Sequence, residues 1–205
     1  MKALITGFEP FGRWQRNPSG ETARYLDGAT IVDLEVSGLV LPVSFARAAA
    51  PLIEAIDTLR PDIVLNLGLG AAVGVRVERV AVNRARSPEG GDNDGYDPQG
   101  GSIVEDGPDT YAATLPVGEI VELLTNLNFD VALSDSAGEY LCNYAMYTTL
   151  HHIATRGYPT RAGFIHAAPL SDDVSDLVEG KGMSLKEWIG FTESVLYLLR
   201  SAVTV

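Results

Sequence analysis

The 205-residue chain has little sulfur, little histidine and little positive charge: one cysteine, three histidines, and 15 Lys and Arg against 27 Asp and Glu. One cysteine cannot close an internal disulfide, so no covalent staple is expected within the fold. A formal net charge of -12 repels a nucleic-acid backbone or an anionic membrane surface, and neither is an expected partner. No uninterrupted apolar run approaches the roughly 18 residues that would span a bilayer. The opening MKALITGFEPFG lacks a long apolar stretch between a basic start and a small-residue cleavage site. A soluble, cytoplasmic protein is the expectation. The GLG glycines at 68–70 lack the G-x-G-x-x-G pattern, and GAAVG has no Lys-Ser/Thr pair, so no nucleotide is inferred.

The sequence is 46% hydrophobic, enough over this length for one substantial core, and it shows no linker and no internal repeat. A single domain over 1–205 is therefore expected. Met1 to Thr6 reads as a buried strand closed by Gly7, and Asn17-Pro18 as a helix start running to about Gly28. Ile31 to Val43 reads as two β pieces broken at Ser37-Gly38. Phe45, Ala48, Ala49, Leu52, Ile53, Ile56 and Leu59 then recur at helical spacing until Pro61. DIVLNLGLG is a second buried strand, and the order strand, helix, strand predicts a parallel sheet in an α/β fold.

Val73 to Val82 alternates as one strand with Arg76 and Glu78 on its polar face. Residues 84 to 110, rich in Gly, Pro, Asp and Asn, form a loop of about 25 residues where 4 to 6 are usual, which suggests a lid over a site. A helix from Pro116 to about Leu127, a strand in DVALSDSAG, a helix from Asn143 to Thr155 and a strand in RAGFIHAAP follow. Ser184 and Glu187 form the capping box of a last helix, whose inner face is read as Leu185, Trp188, Ile189, Val195 and Leu198.

In open α/β sheets, sites form beyond the carboxyl ends of strands, where FEPFG, LGLG, SAGEYLC and His166 all fall. Cys142 stands at a helix start, where the positive end of the dipole favours a thiolate. His151 and His152 lie more than two turns along that helix, about 13 Å or more up its axis, and are read as structural. His166 is the available imidazole, and Glu78 the carboxylate placed to hold its second nitrogen. On these residues alone a packing cysteine and a merely hydrogen-bonded histidine are the commoner cases, and Glu78 could equally pair with Arg76 or Arg79.

The motifs ITGFEPFG, NPSG, VERVAVN, SDSAGEYLCNYAMYTTLHH and GFIH occur in the order found in pyroglutamyl peptidase I, and over Met1 to about His166 the chain resembles that family. The final 35 or so residues match only through MSL before a helix. The resemblance implies a single-domain three-layer α/β/α sandwich with a twisted, mostly parallel central sheet. It implies a cytoplasmic thiol protease without metal or cofactor: an omega exopeptidase that hydrolyses the amide bond after an N-terminal pyroglutamyl residue, working as a homo-oligomer, dimer or tetramer. Carried over by motif, Cys142 is the nucleophile, His166 the imidazole and Glu78 the carboxylate. Phe8, Phe11, Leu69, Arg86, Tyr140 and Leu141 are the residues expected at the substrate, with Arg86 helping to polarise the site.

Two segments depart from the family pattern. AAVGVRV after GLG is shorter than usual and places Arg76 where the family has a different arrangement, and RARSPEGGDNDG rearranges the loop after AVN. The rival expectations are a weak or inactive lactam- or peptide-binding homologue and a cysteine hydrolase of another small lactam or amide.

Overall fold

The computed structural model describes residues 1–70, 74–173 and 182–201. The chain opens with β1 (Lys2–Phe8), crosses through α1 (Pro18–Leu26) and the short β2 (Thr30–Ile31) to β3 (Leu34–Leu41), then returns through α2 (Ala49–Leu59) to β4 (Ile63–Leu69). β3 and β4 pair in parallel on opposite sides of β1. The two crossovers thus travel in opposite directions, and α1 and α2 pack on opposite faces of the sheet, as crossovers of one hand require. The crevice between β1 and β4 is the topological switch point where such folds place ligands.

After β4 come β5 (Val75–Glu78), β6 (Val80–Val82), β7 (Thr110–Ala112), α3 (Val117–Asn126), β8 (Val131–Ser134), α4 (Leu141–Arg156), β9 (Arg161–Ala167) and α5 (Leu185–Ser201). The main sheet has the order β2-β3-β1-β4-β9-β5-β8, while β6 and β7 form a separate antiparallel pair. Among its neighbouring pairs only β2 with β3 and β5 with β9 are antiparallel. The expected mostly parallel α/β sheet is present.

Strand alternation sorts the side chains into two layers. Ala3, Ile5, Leu65, Leu67, Val75, Val77 and Ile165 face one core together with α1, α3 and α5. Leu4, Phe8, Val64 and Phe164 face the other, with α2 and α4. That same alternation puts Gly68, Arg76, Glu78 and His166 on the α4 face. Both faces of the central strands are covered, which is why their sequences are nearly continuous apolar runs.

Four expectations are corrected. The stretch from Ile31 to Val43 breaks at Val32-Asp33 rather than at Ser37-Gly38, and Gly38 lies inside β3. Its glycine serves close packing: a Cβ there would lie 2.0 Å from the Ala23 carbonyl oxygen, because α1 rests on the backbone of the sheet. The Val73–Val82 strand divides at Arg79, whose N–H donates to Ser134 and whose C=O accepts from Ala113, sending β6 out of the main sheet; Val73 lies outside the described residues. The helix expected from Asn143 starts at Leu141, so Cys142 is its second residue. The inner face of α5 is Trp188, Phe191, Thr192, Val195, Leu196 and Leu199, with Leu185, Ile189 and Leu198 only partly covered. The capping box stands: Ser184 N–H donates to Glu187 and Glu187 N–H to Ser184 Oγ.

Replacing Gly38 with alanine is predicted to cost about 3 kcal/mol, since neither backbone can yield cheaply. Gly190, within α5, has no atom within 4 Å of a Cβ position, and its change to alanine is predicted to stabilise by roughly 0.5–1 kcal/mol. Urea unfolding of the two variants checks both signs, and a Gly38→Ala protein as stable as its parent would refute the close-packing account.

Candidate active site

The site is assembled where β1, β4 and β9 end. Beyond Phe8 the chain enters FEPFG, and Asn17 and Ser19 hold this loop. Asn17 Nδ2 donates to the Glu9 carbonyl at 2.9 Å, Asn17 Oδ1 accepts from Ser19 Oγ at 2.7 Å, and Phe8 N–H donates to Ser19 Oγ at 3.1 Å. Asn17 caps α1 in the same act, accepting from Ser19 N–H. One buried cluster therefore fixes both the helix start and the loop carrying Phe11.

On the opposite side of the crevice, β4 pairs with β9 as far as Leu69–Ala167 but with β1 only as far as Thr6–Asn66. The last residues of β4 thus turn a backbone edge towards the crevice. Gly68 lies beneath the thiol: a Cβ there would sit 2.8 Å from Cys142 Sγ and 2.6 Å from the Phe164 ring. No side chain caps the start of α4, so the Cys142 N–H remains one of the first-turn amides without an intrahelical acceptor. Asn143, fully buried, ties this turn down. Its Oδ1 accepts from Val82 N–H at 2.8 Å and its Nδ2 donates to the carbonyls of Val82 and Arg84, both at 2.9 Å.

His166 and Glu78 meet beneath the sulfur. Because β5 runs antiparallel to β9, Arg76 is opposite His166 and Glu78 lies two residues deeper, opposite Phe164. His166 Nδ1 and Glu78 Oε1 are 2.8 Å apart, with Glu78 wholly buried and His166 7% exposed. The second oxygen, Oε2, is buried with no hydrogen-bond partner among the described residues, so the imidazole is the group through which this carboxylate is satisfied. Burial alone would push the His166 pKa down. The charge and hydrogen bond of Cys142 and those of Glu78 overcome it and raise the value from 6.5 to about 9. The imidazolium's contribution to stability is accordingly complete below about pH 6.5 and lost as pH rises through about 9.

A cavity of about 440 Å³ opens at Cys142 and His166, and its lining includes the apolar Phe11, Leu69 and Tyr140 as well as Arg13, Trp14 and Arg76. A second, narrow cleft of about 10 Å³ adjoins it at Cys142 and is lined by Phe8, Phe11, Asn17, Val43, Leu69, Tyr140 and Leu141, with no acidic or basic side chain among the described residues. Phe11, Phe45 and Tyr140 form an aromatic cluster, with centroids 6.1 Å (Phe11–Tyr140) and 5.8 Å (Phe45–Tyr140) apart. Desolvation, with the charges of Asp92 and Cys142, pushes the Tyr140 phenol to about 12, so it stays neutral beside the sulfur.

Of the residues expected from sequence, Cys142, His166, Phe8, Phe11, Leu69, Tyr140 and Leu141 converge on these two spaces, with Glu78 behind His166. Arg86 does not: it lies outside both, its guanidinium 3.4 Å from Glu139 and its N–H donating to the Glu139 carbonyl at 2.8 Å. The loop expected as a lid lines neither space. Asn83, Asp92 and Asp97 fold it on itself, while Asp92, accepting from Phe45 N–H, and Asn93, bonded to Val43 and Pro10, tie it to the body and make it a buttress beneath the FEPFG loop. His151 contacts the Tyr111 hydroxyl and His152 pairs with Asp57 at 2.8 Å, both away from the sulfur. Sequence reasoning missed Trp14, Arg13 and the anchoring roles of Asn17 and Asn143; only the NPSG and CNY motifs pointed to the last two. Among the described residues no three His, Cys, Asp or Glu side chains are grouped to hold a metal ion.

An α/β sheet that brings a helix-start cysteine, an imidazole and a buried carboxylate into line at its switch point has the arrangement of a cysteine hydrolase. The comparisons narrow this: the profile of the pyroglutamyl peptidase family matches residues 1–191, and the chain belongs to that family. The pyrrolidone-carboxylate peptidase of Thermococcus litoralis is 47% identical over 176 residues, covering 84% of this chain and 79% of that one. That of Chromobacterium violaceum is 45% identical over 166 residues, covering 80% and 75%. The solved pyrrolidone carboxyl peptidase structure from T. litoralis superposes with a TM-score of 0.93 at 41% identity, over 98% of this chain and 94% of the other.

Glu78→Gln is predicted to lower the His166 pKa by about one unit or more, because it removes the negative charge while keeping the shape. Imidazole proton resonances followed against pH would measure it, and an unchanged titration would show that Glu78 does not govern His166.

Proposed function

We propose that this chain is a cysteine exopeptidase that releases an N-terminal pyroglutamyl residue from peptides. The observation that carries the reading is the placement of His166 between Cys142 and Glu78, with Cys142 at the join of a carboxylate-free aromatic cleft and an open cavity. A pyroglutamyl group is a neutral lactam without a free amine. A peptide with an ordinary amino terminus would bring an ammonium into a cleft whose described lining holds no carboxylate to pair with it, at a cost the lactam avoids. The ring enters by parting Phe11 and Tyr140, the partly exposed walls of the narrow cleft.

The Cys142 thiolate attacks the pyroglutamyl carbonyl, forming the C–S bond as the carbonyl oxygen takes the negative charge. The Cys142 N–H at the start of α4 stabilises that oxyanion. The His166 imidazolium gives its Nε2 proton to the departing amine as the C–N bond breaks, leaving a thioester and a neutral imidazole. Water then loses a proton to His166 while adding to the thioester, and the thiolate leaves with release of pyroglutamate. Glu78 holds the imidazole by Nδ1 throughout and supports its charged form. Membership of the pyroglutamyl peptidase family supports turnover rather than binding alone.

The single unpaired cysteine and the net charge of -12 support a cytoplasmic setting without nucleic acid or membrane as partner. Among the described residues no helix is long and apolar enough to cross a membrane. Exposed Val32, Leu127, Leu133 and Tyr197 supply apolar surface that supports assembly as a homo-oligomer.

Two outcomes are expected with pyroglutamyl-aminomethylcoumarin. Alkylation by iodoacetamide or the change Cys142→Ser should reduce fluorophore release by about 10⁴-fold or more; a serine variant with ordinary turnover would end the mechanism. The kcat/KM profile should fall as pH rises through about 9, where the His166 imidazolium is lost, and that limb should move to lower pH in Glu78→Gln. A basic limb unmoved by the substitution would dissociate it from His166.

A further inference from the structure

We propose that the cavity on the His166 side of Cys142 selects its leaving group by charge, with Arg76 favouring peptides that carry a carboxylate on the residue after pyroglutamyl. This rests on the peptidase reading above. The sidedness follows from proton transfer: the leaving amine must lie within reach of His166, which lines the open cavity and is absent from the narrow cleft. The residue released therefore occupies the cavity, whose lining includes Arg13, Trp14 and Arg76, the last paired with His166 across the β5–β9 ladder.

The charge there is unusual for this chain. Against a net charge of -12, the described lining of the cavity holds two arginines and no aspartate or glutamate. Arg47, Arg79, Arg86 and Arg200 each meet a carboxylate on the surface. Arg76 is partly buried, and among the described residues no carboxylate or hydrogen-bond acceptor meets its guanidinium. The side chain lies close to the end of β4: Arg76 sits across the β5–β9 ladder from His166, and a Cβ on Gly70 would lie 3.2 Å from its Nη2. Arg13 stacks over the Trp14 ring at 4.8 Å and adds a second positive charge at the rim.

A partly desolvated guanidinium without a counter-charge is poorly satisfied, and a planar carboxylate is the ligand its donor fork fits. Two sources supply that group: the terminal carboxylate of a pyroglutamyl dipeptide, or the side chain of an acidic residue. Because the chain's overall field repels anions, discrimination depends on short-range pairing inside the cavity, which added salt weakens.

The test compares two matched pairs, pyroglutamyl-alanine against its amide and pyroglutamyl-aspartic amide against pyroglutamyl-asparagine amide, by chromatographic release of pyroglutamate. At least one carboxylate-bearing substrate should exceed its neutral partner in kcat/KM by about tenfold at low salt, and the pair that shows it identifies the source. Arg76→Gln should bring that ratio near one and Arg76→Lys should keep part of it, whereas a purely structural role would slow both members together and leave the ratio intact. Ratios near one in the parent, or a ratio untouched by Arg76→Gln, would overturn the inference while leaving the peptidase intact. No release from any of the four would overturn the peptidase reading and this inference with it.

Discussion

The buried contact between His166 and Glu78 is the constraint around which the site is built. A carboxylate removed from water needs a charged or strongly donating partner, and among the described residues the imidazole is the one it has. That partnership depends on the reversed direction of β5. Running antiparallel to β9, it delivers Arg76 to the cavity beside His166 and Glu78 two residues deeper, so one short strand supplies both the wall of the cavity and the group beneath the imidazole. Parallel pairing with β8 then carries the chain past Ser134 towards the loop that presents Cys142.

Rigidity around this pair comes from close backbone contact and from buried amides. Gly38 admits α1 onto the sheet, and Gly68 leaves room for the sulfur above β4. Thr6 donates to Asn66 Oδ1, and Asn66 Nδ2 donates to the Gly163 carbonyl, joining three neighbouring strands just below the crevice. Asn17 and Asn143 act likewise at the two helix starts. Each satisfies several backbone groups, so losing one would strand several buried donors or acceptors at once.

Much of this was legible before the coordinates. Caps are local, and Asn17-Pro18 and the Ser184–Glu187 box formed where their chemistry dictates. The strands buried on both faces read as apolar runs. Features set by distant contacts were hidden: Gly38 looks like a strand break until α1 lies over it, and the stretch read as one strand from Val73 to Val82 looks continuous until Arg79 is drawn off by Ser134 and Ala113. The long loop has a lid's composition, yet the same Asp and Asn residues cross-link it into a fixed support. Three histidines and one cysteine leave few combinations for a thiol and an imidazole, but the roles of Cys142, His166 and Glu78, like that of Arg86, were carried over by motif, and the structure sets Arg86 against Glu139.

The lone sulfur has a further consequence for the protein's exposure to oxidants. Cys142 is partly accessible and sits beside an imidazolium, an environment in which peroxide converts a thiolate to the sulfenic acid. Many redox-tolerant enzymes rescue that state by condensing it with a neighbouring thiol. This sequence contains no second cysteine, so the first oxidation step has no internal brake, and recovery depends on small-molecule reductant reaching the cavity before the sulfinic acid forms.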